Sequence, residues 1–139
     1  MENVFLDTDV VVDFLSGREP HHSVALRLLS AAHMKKIKIH VSVLSFANSH
    51  YILSKFMKDN IVRRKIIGMQ ILVTTLALND QIFGLALSSD FKDFEDGIQY
   101  YTAIENNIHV IITRNLRDFR SSKIAVLHPE QYLNQLNIQ

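Results

Sequence analysis

The stretch Val4-Phe5-Leu6-Asp7-Thr8-Asp9-Val10-Val11-Val12-Asp13-Phe14-Leu15 carries the strongest mark of the chain's architecture. Val4, Phe5 and Leu6 form an uninterrupted apolar run, the pattern of a short strand covered on both faces. The run stops at Asp7, after which Val10, Val11, Phe14 and Leu15 recur at helical spacing until Gly17. A buried strand that turns directly into a helix opens an α/β unit, and such units build parallel sheets. In those sheets ligands bind beyond the C-terminal ends of the strands, where the strand order reverses. Asp7 stands at that rim.

Beyond this stretch, the alternation of short apolar runs with amphipathic ones continues. Pro20 is placed to open a helix with Val24, Leu28, Leu29 and Ala32 on one face. Ile37, Ile39 and Val41 alternate with Lys38 and His40, which predicts a strand exposed on one side. Ser42 then caps a helix expected to turn Leu44, Ala47, Tyr51 and Phe56 inward. A helix over about 59–69 carries Arg63, Arg64 and Lys65 outside, and Ile71-Leu72-Val73-Thr74 reads as the third strand. A helix over about 79–87 comes next, and Asp93 opens another with Phe94, Ile98 and Tyr101 on one face. Val110-Ile111-Ile112 and Ala125-Val126-Leu127 read as the fourth and fifth strands, and Pro129 starts a closing helix.

The 139 residues suit one domain over 1–139, with no repeat, low-complexity tract or Gly/Ser-rich linker to divide them. Lys and Arg number 15 against 14 Asp and Glu, a net charge of +1 that excludes gripping nucleic acid by bulk charge; any such role needs a local arrangement. The absence of cysteine excludes disulfides, thiolate zinc sites and thiol nucleophiles. No apolar run approaches the roughly 18–20 residues of a membrane span, and the first residues lack the basic start and apolar stretch of a secretion signal. The expectation is a cytoplasmic protein with no membrane partner. The seven histidines show no zinc spacing, and the phosphate-loop, dinucleotide and nucleophile-elbow glycine motifs are absent.

Three segments can carry chemistry. Asp7 is either a partly desolvated carboxylate that needs a cation or several hydrogen bonds, or the cap of the helix from Val10, a role Asp9 could also fill. In Asp93-Phe94-Glu95-Asp96-Gly97 the spacing of three puts Asp93 and Asp96 on one face of a helix's first turn. That pair is either functional or a variant capping box, with Glu95 expected to point to solvent. Thr113-Arg114-Asn115-Leu116-Arg117-Asp118-Phe119 comes after the fourth strand, so its Arg114 and Arg117 either meet phosphate oxygens at the rim or form a solvated loop. Carboxylates gathered from distant segments repel unless a divalent cation joins them, and Mg²⁺ or Mn²⁺ prefers such oxygen ligands.

Taken in series, these segments resemble the PIN domain family, the metal-dependent ribonuclease fold found in VapC-type toxins of toxin–antitoxin pairs. The opening matches the family's strand–Asp–Thr–Asn/Asp start. Val41-Ser42-Val43-Leu44-Ser45-Phe46-Ala47-Asn48 resembles its strand-to-helix stretch, and the acidic helix start at 93–97 has its counterpart. The segment 111–119 is similar to the family's TRxxxDF-like run, and His128-Pro129-Glu130-Gln131-Tyr132-Leu133 to its closing helix. The resemblance implies a three-layer α/β/α fold around a central parallel five-stranded sheet ordered 3-2-1-4-5. It also implies Asp7 and Asp96 as metal carboxylates, and Asp13 as more structural than catalytic. Two departures stand out: the family usually has Glu where this chain has Asn48, and often Asp where it has Asn115.

The activity implied by the resemblance is that of a Mg²⁺- or Mn²⁺-dependent endoribonuclease, the toxin of a type II pair. Asp118 would be the third acid, Asn48 and Asn115 would position the attacking water, and Arg114 or Arg117 would contact phosphate. A cognate antitoxin and a second copy of the chain are the implied partners; Phe56 and Met57 are candidate contacts, with ordinary core as the alternative. The second reading, supported by Asn48 and Asn115, is a catalytically weakened PIN domain that binds RNA or protein. A third is a haloacid-dehalogenase-type phosphatase with Asp7 as nucleophile and Asp9 as acid/base. It fits Asp7-Thr8-Asp9-Val10-Val11 but leaves the later segments unexplained.

Overall fold

The computed structural model describes residues 1–138. The chain runs β1 (Glu2–Leu6), α1 (Thr8–Ser16), α2 (His21–His33), β2 (Ile37–Ser42), α3 (Val43–Leu53), α4 (Asp59–Leu72), β3 (Thr74–Leu76), α5 (Asp80–Leu87), α6 (Phe94–Glu105), β4 (Val110–Ile112), a 3-10 turn (Leu116–Phe119), β5 (Ala125–Leu127) and α7 (Pro129–Ile138). All pairings are parallel, in the order β3-β2-β1-β4-β5. This is the expected three-layer α/β/α fold. The order reverses between β1 and β4, where Phe5 pairs with Ile111 and Leu6 with Ile112.

Strand periodicity divides the core. Val4, Leu6 and Ile112 face one side with Val10, Leu28 and Met69, while Phe5 and Ile111 face the other with Tyr100, Ile108 and Phe119. Both faces are covered, so β1 and β4 are apolar where they pair. A smaller cluster of Ile82, Ala86 and Ile98 ties α5 to α6.

Helix ends obey local chemistry. Asp7 caps α1, its carboxylate accepting from the Thr8 N–H at 2.9 Å, and Gly17 ends that helix at φ +72°, a left-handed stop that glycine takes without penalty. Ser42 caps α3, Asn79 caps α5 and Asp93 caps α6 through side-chain oxygens that accept first-turn N–H groups.

Three expectations change. The third strand is Thr74–Leu76 rather than 71–74, because α4 continues to Leu72. Val62 and Met69, two helical turns apart, are both buried in the first cluster, whereas Ile71 is 80% exposed. The inward face of α3 carries Ser45, Phe46, Ser49 and Leu53, while Ala47, Tyr51 and Phe56 face out. Arg18 lies over the Phe56 ring at 4.1 Å, and Met57 is the neighbour packed on the core. Finally, β2 is exposed only at Lys38 and covered on both faces from Ile39 on: His40 is buried and bonded to Asn3 at 3.0 Å, and burial pulls its pKa down.

Candidate active site

The C-terminal ends of β1 and β4 open into a cleft of about 520 Å³. Asp7 reaches it from the end of β1. Asp96 and Glu95 come from the first turn of α6, Asn48 from α3, and Asn115 and Asp118 from the segment after β4. Buried Phe119 anchors the 3-10 turn that presents Asp118.

Asp7 is almost wholly buried and heavily hydrogen-bonded. Its Oδ2 accepts from the Thr113 hydroxyl at 2.8 Å, and its Oδ1 accepts from the Thr8 N–H and from the Gln99 amide at 3.3 Å. Gln99 is held in turn by Ser42, which donates to its Oε1 at 2.6 Å, while its amide also donates to Ser45. The reverse amide orientation would aim an oxygen at a carboxylate, so these partners fix it. Ser42 is also the α3 cap, so one buried network joins β2, α3 and α6 to the Asp7 carboxylate.

The electrostatics are those of crowded acids in a partly dry site. Burial pushes the Asp7 carboxyl up against the pull of its hydrogen bonds, and the Asp118 charge adds to the rise. Asp96 is raised to about 7, first by burial and then by repulsion from Asp7, Asp93, Asp118 and Glu95. Asp9 is also raised to about 7, by burial and by the Asp7 charge. Its Oδ2 accepts from the Arg114 N–H at 3.0 Å, but its Oδ1 is buried without a hydrogen-bond partner among the described residues.

The donor set fits a hard divalent cation: only oxygens are offered, the carboxylates repel one another, and a buried carboxylate oxygen beside them is unpaired. Among the described residues, no three Asp, Glu or His side chains form a ready-made cage. A cation here would draw on side chains spread along the cleft wall, with water completing its shell.

A family model described as "PIN domain" matches residues 3–117. The chain belongs to the PIN domain family. The curated protein "Ribonuclease VapC1" of Aquifex aeolicus is 26% identical to it over 140 aligned positions, covering 98% of this chain and 96% of that protein. Among solved structures it resembles VapBC2 from Rickettsia felis bound to a promoter DNA fragment, with TM-score 0.70 and 15% identity over 91% of this chain and 98% of that one. It also resembles VapBC-1 from nontypeable Haemophilus influenzae, with TM-score 0.67 and 16% identity over 92% and 98%. At these identities the structural likeness speaks for the fold.

In this PIN domain the three acids singled out from sequence, Asp7, Asp96 and Asp118, share one cleft with Asn48 and Asn115. The two readings of Asp7 merge, since it caps α1 with the same carboxylate it presents to the cleft. Arg114 also lines this cleft, its guanidinium in a bidentate pair with Asp13 at 2.7 and 3.1 Å. Arg117 instead lines an adjoining cleft with Lys92 and Arg120, whose wall shares Asp93, Asp96 and Asp118 with the first. Glu95 is exposed, as the sequence reading expects, and it also lines the cleft and accepts from the Asn48 amide at 3.2 Å.

Gln99 is absent from the sequence reading of this site, whereas Thr113 opens the rim segment it names and Asp9 enters it only as a cap or as the acid/base of the phosphatase alternative. Gln99 had a usable signal: it lies three residues after Asp96, on the same helical face. Thr113 sits directly after β4, at the sheet's ligand rim.

Proposed function

We propose that this PIN domain, acting as one unit, is a divalent-metal-dependent endoribonuclease and the toxin of a type II toxin–antitoxin pair. The observation that carries the reading is the convergence of Asp7, Asp96 and Asp118 on one cleft, beside an adjoining one where Lys92, Arg117 and Arg120 stand among acids. The likeness to a protein named Ribonuclease VapC1 and to chains solved as VapBC complexes supports the nuclease class and an antitoxin partner.

Asp7, Asp96 and Asp118 would hold Mg²⁺ or Mn²⁺, which when bound would activate water and neutralise charge on a phosphodiester. The chain's own groups prepare that chemistry. Thr113, the Thr8 N–H and Gln99 favour the ionised Asp7 carboxylate and aim it, against the cost of burial. Asn48 and Asn115 offer neutral polar groups to orient the attacking water. Arg117, with Lys92 and Arg120, would offer the RNA backbone individual phosphate contacts at the margin of the acidic cleft. A second copy and a cognate antitoxin complete the proposed assembly, in the cytoplasm. Among the described residues, no helix is long and apolar enough to cross a membrane.

A second reading, a PIN domain kept for binding RNA or protein, draws on Asn48 and Asn115, which bring no charge. Calorimetric titration with Mn²⁺ and Mg²⁺, then cleavage of structured RNA, separates the two. The nuclease reading expects micromolar to sub-millimolar binding and metal-dependent cleavage. Cleavage should fall at least about 100-fold in Asp7→Asn and Asp96→Asn. Absent metal binding with retained RNA affinity would favour the second reading.

A further inference from the structure

We infer that Glu95 is the carboxylate that completes the metal-binding side of the cleft facing α3, with Asn48 as the residue that positions it. This assignment rests on the metal-dependent reading above and names a ligand-side residue within it.

The acids at the cleft are engaged in different ways. Asp93 turns its Oδ1 back on its own helix, accepting from the Glu95 and Asp96 N–H groups at 2.8 and 3.4 Å as the cap of α6. Asp9 is bonded to the Arg114 N–H, and the guanidinium of Arg114 is closed on Asp13. Asp93 also lines the cleft but commits its Oδ1 to the cap, so the acids of α6 itself that line it are Asp96 and Glu95. Asn48 cannot contribute charge, since an amide is neutral at every relevant pH. Its amide crosses from α3 to α6 and donates to Glu95 Oε2 at 3.2 Å.

That contact restricts a long, exposed and otherwise unrestrained side chain to the cleft wall, leaving Oε1 without a protein donor among the hydrogen bonds of the described residues. Glu95 lies in the first turn of α6, at the positive end of the helix dipole. The arrangement moves a negative charge from α3 to α6 while keeping it on the same wall. Glu95 and Asp96 both line the cleft that holds Asp7, from one helix turn whose backbone the Asp93 cap fixes.

The test is Mn²⁺ titration by calorimetry on the full-length protein, with thermal melting in parallel and the whole series repeated at about 0.5 M KCl. The wild type should bind, Asp7→Asn should not, and Glu95→Gln should weaken binding by about tenfold or more with its metal-free Tm unchanged. Asn48→Ala should weaken it a few-fold. In Asn48→Glu/Glu95→Gln, where amide and carboxylate trade helices, affinity should return to within about threefold of wild type. Wild-type affinity in Glu95→Gln, a loss that disappears at high salt, or failure of the exchanged variant to recover would each overturn the assignment. The metal reading itself would survive those outcomes through the Asp7→Asn result. No Mn²⁺ binding by the wild type would overturn both.

Discussion

Gln99, a neutral residue, is where the charged site meets the frame. It is 2% exposed, accepts from Ser42, and donates to Ser45 and Asp7. A buried amide with every partner present rigidifies its surroundings, and its removal leaves those partners unpaired where water has poor access. Gln99→Ala is therefore expected to cost about 2–3 kcal/mol, a fall in Tm of roughly 7–10 °C for a chain of this length, measured by thermal denaturation. An unchanged Tm would mean that water takes over the amide's bonds. Asp7→Asn should behave in the opposite way in metal-free protein. Burial already penalises the charge at residue 7, so a neutral isostere should hold or raise Tm while removing metal affinity.

The elements themselves divide into those whose ends carry a chemical mark and those defined only by apolar runs. Asp93 marks the start of α6, and Asp93→Ala should lose about 1 kcal/mol in denaturant unfolding while Asp93→Asn, still able to cap, should lose almost none. Pro129, Asn79, Ser42 and Gly17 are marks of the same kind, and the helices they bound stand where the sequence indicates. The run 71–74 has no such mark. Ile66, Ile71 and Leu72 suit a strand or a helix equally, and the packing of Val62 and Met69 decides for the helix. The inward face of α3 was illegible for a related reason. Hydrophobicity favours Leu44, Ala47 and Tyr51, but the buried positions include Ser45 and Ser49. The hydroxyl of Ser45 is tied to Gln99, a partner 54 positions away. Of the candidate site, the carboxylates were legible because they lie where a strand ends or a helix begins. Glu95 and Arg114 were not, because their directions depend on Asn48 and Asp13, residues from other elements.

Over the molecule as a whole, near-neutral net charge conceals a local crowding: acids gather at the β1/β4 switch point, with Lys92, Arg117 and Arg120 among those on its margin. That crowding links stability to pH and to metal. Folded Asp9 and Asp96 hold protons up to about pH 7, whereas the ordinary value for the same carboxyl is 3.8. Between those values the folded chain binds more protons than the unfolded one. The pair's contribution to stability is thus fully present below 3.8 and is lost as pH rises through about 7. Metal-free Tm should therefore decline across that window. A divalent cation reverses the trend, since it needs the carboxylates ionised and binds the folded site alone. Saturating Mn²⁺ should raise Tm more at about pH 8 than at about pH 5.5, with Asp96→Asn flattening both the metal-free decline and the metal-induced gain. Melting curves over that range measure both slopes in one protein. Because buried His40 pulls the slope the other way, the comparison is with Asp96→Asn: an identical metal-free slope in the two proteins from about pH 5.5 to about pH 8 would show that Asp96 is not held at a cost, and would remove the electrostatic case for a cation at this cleft.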